Sequence, residues 1–311
     1  MPERSNSPEE DAPGGAGPAR ASLDTAYAQC MDLIRRHDRD RFLAILFSPA
    51  QARRHLAALY AFNLEVARVR EVVREPLPGE VRLQWWRELI EGLGRGDVSG
   101  HPVAAALLHS IDACALPRGA LLNLIEARSF DLYDDPMPTL NDLEGYAGET
   151  SSVLVQLASG ILLGRSEPRL ADAAGHAGVA IALTGLMRAL PILAARGQCY
   201  LPLDILARHG SSRDDVVERK PTAGLLAALA ALRASAEGHL EAARRALVSV
   251  PAEAMPAFLT LALVPADLRA LAEVKDPFQT VAGSHPLMRQ WTLWRAARRV
   301  TAGKPLLKAP R

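Results

Sequence analysis

Aromatic side chains are scarce in this sequence, at 5% of residues, and no segment alternates apolar and polar positions with β-branched residues. A sheet-built fold therefore has little to draw on. Cysteine is nearly absent: Cys30, Cys114 and Cys199 are odd in number and far apart. That excludes a disulfide framework and a paired-ligand zinc motif, and suits reduced thiols. A net charge of +1 gives no global pull toward nucleic acid or acidic lipid, and no nucleic-acid partner is expected. No unit of roughly 20 to 50 residues repeats, which excludes a solenoid.

What the 311 residues have in plenty is alanine and leucine, within a composition that is 49% hydrophobic. This favours helix and supplies a large core. Helical periodicity predicts helices near 23–36, 39–47, 50–74, 79–94, 102–114, 117–134, 139–163, 168–195, 202–209, 223–249, 252–274 and 285–300. Breakers separate them: Ser48-Pro49 opens one, Pro76 and Pro78 divide two, and Pro136 with Pro138 precedes Thr139, an expected N-cap. The expectation is an all-α single domain over 21–302, between a disordered tail at 1–20 and a basic tail at 303–311. Residues 1–20 are rich in Pro, Gly, Ser and acids, and carry neither the apolar stretch of a secretory signal nor the acid-poor character of a transit peptide. A cytoplasmic protein is expected, peripheral at most on the inner membrane.

The stretch Gly175–Pro202 organises the rest. It runs apolar from Ala177 to Leu186, then carries Arg188, Pro191 and Arg196 before Tyr200-Leu201-Pro202. Its length would span a bilayer, but a central Arg and a nearby Pro suit a helix buried inside a helical domain.

This stretch resembles the squalene and phytoene synthases, trans-isoprenyl diphosphate synthases in which leucine-threonine-asparagine, two apolar residues and arginine lead into an aspartate repeated four positions later. Here Leu183, Thr184, Gly185, Leu186, Met187 and Arg188 are followed by Ala189 and Leu193. The family's second motif, tyrosine-alanine-phenylalanine followed by an aspartate pair, matches Tyr60, Ala61 and Phe62, with the aspartate positions falling on Ala67 and Glu71. Carboxylates at i and i+4 share a helix face and together hold the Mg²⁺ ions that clamp a diphosphate. Four such positions reduced to one acid, itself beside Arg68, Arg70 and Arg74, predict an ion pair where the family binds metal. Metal-ion neutralisation of a leaving diphosphate contributes several kcal/mol. No metal or cofactor is expected, and Mg²⁺ only if the chain is still a transferase.

Further segments are similar to the complex I assembly factor branch of these proteins: Phe62 to Val69, Leu83 to Arg87, His101 to Ala104, Asn141 to Ala147, Glu149 to Ser152, Tyr200 to Pro202 with Ile205, Pro256 to Leu259 and Trp291 to Arg298. The resemblance covers roughly 23–300 and implies an isoprenoid-synthase-like bundle around a central apolar cavity. It also implies a non-catalytic protein that helps build NADH:quinone oxidoreductase, with a complex I subunit or assembly intermediate as partner. The alternatives are a transferase condensing prenyl diphosphates with Glu71, Asp131 or Asp134 as unusual ligands, and a lipid-binding protein.

Tyr60, Asn63, Arg188, Arg196 and Tyr200 match retained positions and are the candidate ligand-binding set, an anionic head group meeting guanidinium and hydroxyl donors. The plainer expectation pairs Arg188 with Glu65 or Glu149, and fills the cavity with Leu64, Leu186, Met187, Leu190 and Leu193. Asp131, Asp134 and Asp135 precede Pro136 and are expected as a solvated helix end. Trp86 is expected in the core and Trp85 at a groove edge with Arg82, while His55, His176 and His285 are expected to be structural. The C-terminal run mixes Trp291 and Trp294 with arginines, and suits either an anionic membrane surface or tryptophans packed inward with arginines facing water.

Overall fold

The computed structural model describes residues 18–73, 75–93, 100–279 and 281–308, and among these there is helix, turn and loop but no strand. Helices α1 (Pro18–His37), α2 (Arg39–Ile45), α3 (Ala50–Ala67) and α4 (Val69–Val72) lead into α5 (Pro76–Glu91), α6 (Pro102–Ala113) and α7 (Arg118–Ser129). After them come α8 (Leu140–Ala147), α9 (Val153–Leu163), α10 (Ala171–Ala195), α11 (Leu203–Arg208) and α12 (Arg213–Val217). The chain closes with α13 (Ala223–Ala246), α14 (Val264–Glu273) and α15 (Pro286–Thr301).

The helix expected over 50–74 breaks at Arg68, whose φ of −100° and ψ of 6° leave the helical range, and α4 restarts beyond it. The helix expected over 139–163 opens into a π turn at Gly148–Ser152, where Thr150 Oγ1 donates to the Tyr146 carbonyl. The segment Ala252–Leu263 winds as 3₁₀, because Pro256 inside it offers no N–H to an α ladder. Thr139 caps α8 in a reciprocal capping box with Asp142, as the sequence predicts.

One core runs from Ala26 to Leu307, with a satellite of Leu190, Ala194, Leu201, Ile205, Val216, Leu225 and Phe278 where α10 meets α11 to α13. Helix α10 is long and apolar enough to cross a membrane by length and composition, as is Ala252–Glu273, and half of each apolar window is buried within the bundle. The tail expected over 1–20 lies outside the described residues up to residue 17, and α1 already starts at Pro18. Past Thr301 the chain stays packed: Leu306 and Leu307 are buried against the core.

His55 has a structural place beside Tyr27, His109 and Ser110. Arg54 Nε donates to His55 Nε2 at 3.3 Å, so the ring proton sits on Nδ1, which donates to Ser110 Oγ at 2.9 Å. Ser110 Oγ in turn donates a hydrogen bond to the Ala106 carbonyl, and the Tyr27 hydroxyl donates to His109 Nδ1. Burial first, then the Arg54 charge and His109, pull the His55 pKa down from 6.5 to about 4. Between those values the unfolded chain binds a proton that the folded chain refuses, so stability rises with pH there and is lost as pH falls. From pH 7 to 5 this group should cost about 2 kcal/mol. Urea unfolding at the two pH values measures it, and the His55→Asn variant should show a pH dependence smaller by that amount.

Candidate functional site

The family motif positions fall on three helices, because the break at Arg68 separates the first two. Ala67 ends α3, Glu71 lies in α4, and Ala189 and Leu193 lie on α10. Glu71 ties the α3–α4 junction to the end of α10: Oε2 accepts from Arg68 Nε at 2.8 Å and Oε1 from Arg196 Nη1 at 3.1 Å. Burial raises the Glu71 pKa, but the hydrogen bonds from Arg68 and Arg196 outweigh it and hold the carboxyl below the usual glutamate range. The donor set does not fit the paired magnesium ions that the resemblance implies. Ala67, Ala189 and Leu193 present no side-chain oxygen, and both carboxylate oxygens of Glu71 already face protein cations.

Arg188 does not reach Glu65 or Glu149. Its Nε donates to the Ala282 carbonyl at 2.8 Å and its Nη1 lies 3.4 Å from Asp267, which corrects the expected pairing. Asp267, 3% exposed, also takes Arg289 Nη1 at 2.7 and 2.9 Å, and Arg289 Nη2 reaches Asp40 at 2.6 Å. The charges alternate, carboxylate against guanidinium, around a polar cavity of about 130 Å³ lined by α2, α10, α14 and α15. An apolar cavity of about 200 Å³ lies on the other flank of α10, beside Met187, Leu229 and Leu271. Both volumes fall below the roughly 300 Å³ at which small-molecule sites begin. Of the residues expected to fill the interior, Met187 and Leu190 are buried, Leu186 and Leu193 pack partly buried on the core, and Leu64 lines an outer groove.

Tyr200 and Asp131 form the second polar centre. The Tyr146 and Tyr200 hydroxyls each donate to Asp131 Oδ1 at 2.7 Å, and Arg128 Nη1 donates to Asp131 Oδ2 at 3.1 Å and to the Tyr146 oxygen at 2.7 Å. Asp131 is 6% exposed, so the expectation of a solvated helix end holds for Asp134 and Asp135 and fails for Asp131, whose carboxylate points inward from the 3₁₀ turn Phe130–Leu132. Burial, then the Asp131 charge, push the Tyr200 pKa up, and burial does the same to Tyr146.

The five candidate ligand-binding residues thus go to separate partners. Tyr60 is buried under the Arg41 guanidinium, 5.3 Å from its ring centroid, and burial pushes its pKa up to about 12. Asn63 is 5% exposed and its Oδ1 has no hydrogen-bond partner among the described residues. Arg188, Arg196 and Tyr200 meet Asp267, Glu71 and Asp131 respectively. No local pattern in the sequence singles out Asp40, Asp267, Arg128 or Tyr146, and Arg289, one of the C-terminal arginines, turns inward to Asp40 and Asp267. Only the charge alternation of Asp38-Arg39-Asp40-Arg41 at a helix start hints at Asp40.

Beside α3 a groove of about 510 Å³ is lined by Leu64, Val69, Arg82, Trp85, Trp86 and His101 among others. Trp86 is buried and Trp85 half-exposed at its edge, as the sequence predicts.

The sequence profile of the squalene/phytoene synthase family matches residues 34–295. A rat protein, NADH dehydrogenase (ubiquinone) complex I, assembly factor 6, is 33% identical over 237 residues, covering 76% of this chain and 71% of its own. A 15-cis-phytoene synthase of Synechocystis is 26% identical, covering 63% of this chain and 61% of its own. Among solved structures, a squalene synthase from Alicyclobacillus acidocaldarius superposes with a TM-score of 0.64 at 22% identity, over 92% of this chain and 97% of that one. A dehydrosqualene synthase superposes with a TM-score of 0.73 at 18% identity, over 91% and 99%. At these identities the structural likeness is one of fold, the all-α isoprenoid synthase fold.

Proposed function

The chain belongs to the squalene/phytoene synthase family, and from that premise we propose that it is a non-catalytic member acting in assembly of respiratory complex I at the inner face of the membrane. One observation carries the loss of chemistry: of the four family metal positions only Glu71 is acidic, and its two oxygens are held by Arg68 and Arg196. A diphosphate brought to this place would meet no divalent ion, and the charge that develops as it leaves would go unneutralised. The assembly role draws its support from the relatives that carry that name, rat, mouse and human proteins at 32–33% identity over about three-quarters of the chain.

The test is genetic and enzymatic together. Deleting the gene should deplete assembled NADH:quinone oxidoreductase from membranes, and a plasmid copy carrying Glu71→Ala should restore it as fully as the unaltered copy. Purified protein incubated with farnesyl or geranylgeranyl diphosphate and Mg²⁺ should give no condensed product. A metal-dependent C30 or C40 hydrocarbon, lost in Glu71→Ala, would overturn the reading.

A further inference from the structure

The helix that closes the chain is held by one face and leaves the other unused. Leu293, Ala296 and Ala297 of α15 are buried, and Arg289 points inward to Asp40 and Asp267. On the opposite side Leu287, Met288, Trp291 and Trp294 are 65%, 55%, 50% and 42% exposed, spaced so that they share one stripe. Trp291 and Trp294 stack with ring centroids 4.8 Å apart, and the Arg298 guanidinium lies over Trp294. Of the two expectations for this segment, the one that packs the tryptophans inward with the arginines facing water does not hold: the tryptophans face outward and Arg289 faces in.

Beside the stripe α15 forms a groove of about 820 Å³ with α14, the end of α13 and the returning chain end, and its lining includes Arg244, Arg269, Arg295, Arg299 and Lys308 but no carboxylate. Arg244 is paired with Glu241, and Arg299 donates to the Pro305 carbonyl. Arg269 and Arg295 have no acidic partner among the described residues. From Pro277 to the last residue the sequence contains seven Lys and Arg and no Asp or Glu.

We propose that the outward face of α15 and its basic groove dock an anionic phospholipid bilayer. The occupant follows from the pairing of chemistries. Exposed tryptophans and aliphatics ask for an apolar medium, and the guanidinium groups of Arg269 and Arg295 in the adjoining groove ask for anions. A bilayer of acidic lipids presents both layers, phosphate above and hydrocarbon below. A second copy of this chain would set cation against cation across a two-fold interface. Nucleic acid would satisfy the arginines and leave the aliphatic stripe in water.

This deepens the membrane-side placement proposed above, and it fails separately from it: a vesicle assay needs no complex I, and the gene-deletion assay needs no lipid. The full chain is sedimented with sucrose-loaded vesicles of phosphatidylcholine alone or with about one-third phosphatidylglycerol, at low and physiological salt. The protein should bind the mixed vesicles, weaken with salt, and leave the neutral ones in the supernatant. Arg269→Glu with Arg295→Glu should lower the partition constant on the order of a hundredfold, and Trp291→Ala with Trp294→Ala about tenfold. Arg208→Glu, on an exposed arginine of α11, should change nothing, and unchanged far-ultraviolet dichroism shows that the variants fold. Equal binding to both vesicle types, no binding to either, or variants that bind like the parent would overturn the proposal. So would tighter binding to a duplex oligonucleotide than to mixed vesicles, or a dimer that the tryptophan variant splits.

Discussion

Replacing Asp131 with alanine should lower the unfolding free energy by roughly 3–5 kcal/mol, the scale for removing one partner of a buried ion pair. Asp131 accepts from Tyr146, Tyr200 and Arg128, and all four side chains are largely removed from water. Burial works against the Arg128 charge; Tyr146 and Asp131 offset it and hold the guanidinium above its ordinary pKa. Without the carboxylate that guanidinium stays charged, with little solvent and no counter-ion, and the two tyrosine hydroxyls lose their acceptor. The cost comes from stranding the partner rather than from the pair's own worth. The double variant Arg128→Met with Asp131→Leu should therefore recover the part of the loss that the stranded guanidinium causes, while the two tyrosine hydroxyls still lack their acceptor. Urea midpoints followed by dichroism measure both, and an Asp131→Ala variant within about 1 kcal/mol of the parent would refute this account.

Gly178→Ala should destabilise by roughly 3 kcal/mol even though alanine is the better helix former. Gly178 lies inside α10, where the exchange alone would gain about 1 kcal/mol. The added methyl would stand 2.2 Å from Ser152 Cα and 2.3 Å from Ser152 N. These are backbone atoms of the π turn, which cannot swing aside as a flexible side chain can. Ser152 Oγ also donates to the Gly175 carbonyl at 2.8 Å, tying the turn to this helix. Overpacking against a fixed neighbour commonly costs about 1–3 kcal/mol, and more when backbone must shift. Gly175→Ala is the contrast: nothing lies within 4 Å of the new methyl. It should be neutral or stabilising by up to about 1 kcal/mol. Equal thermal midpoints for the two variants would show that α10 and the π turn are not in close contact.

Much of the fold was legible because its signals are local. Helix spacing, the Thr139 cap and the prolines that open α5 are each settled within a few residues. Breaks without such a marker went unseen, as at Arg68 and at the π turn, where packing against α10 rather than propensity sets the backbone. The candidate site divides the same way. That Ala67, Ala189 and Leu193 lack oxygen donors is a property of the residues themselves, visible at i and i+4 without coordinates. That Arg188 meets Asp267, and that Asp131 lies inside the bundle, depends on helices far apart in the chain.

The sequence by itself determined the helical class, the family frame and the missing metal ligands, since each rests on residue type and short-range spacing. Only the tertiary structure decided which cations take Glu71, where Arg289 turns inward and which face of α15 remains for a partner. Charge pairing and burial are settled by packing between segments, and a linear pattern states only which residues could take part.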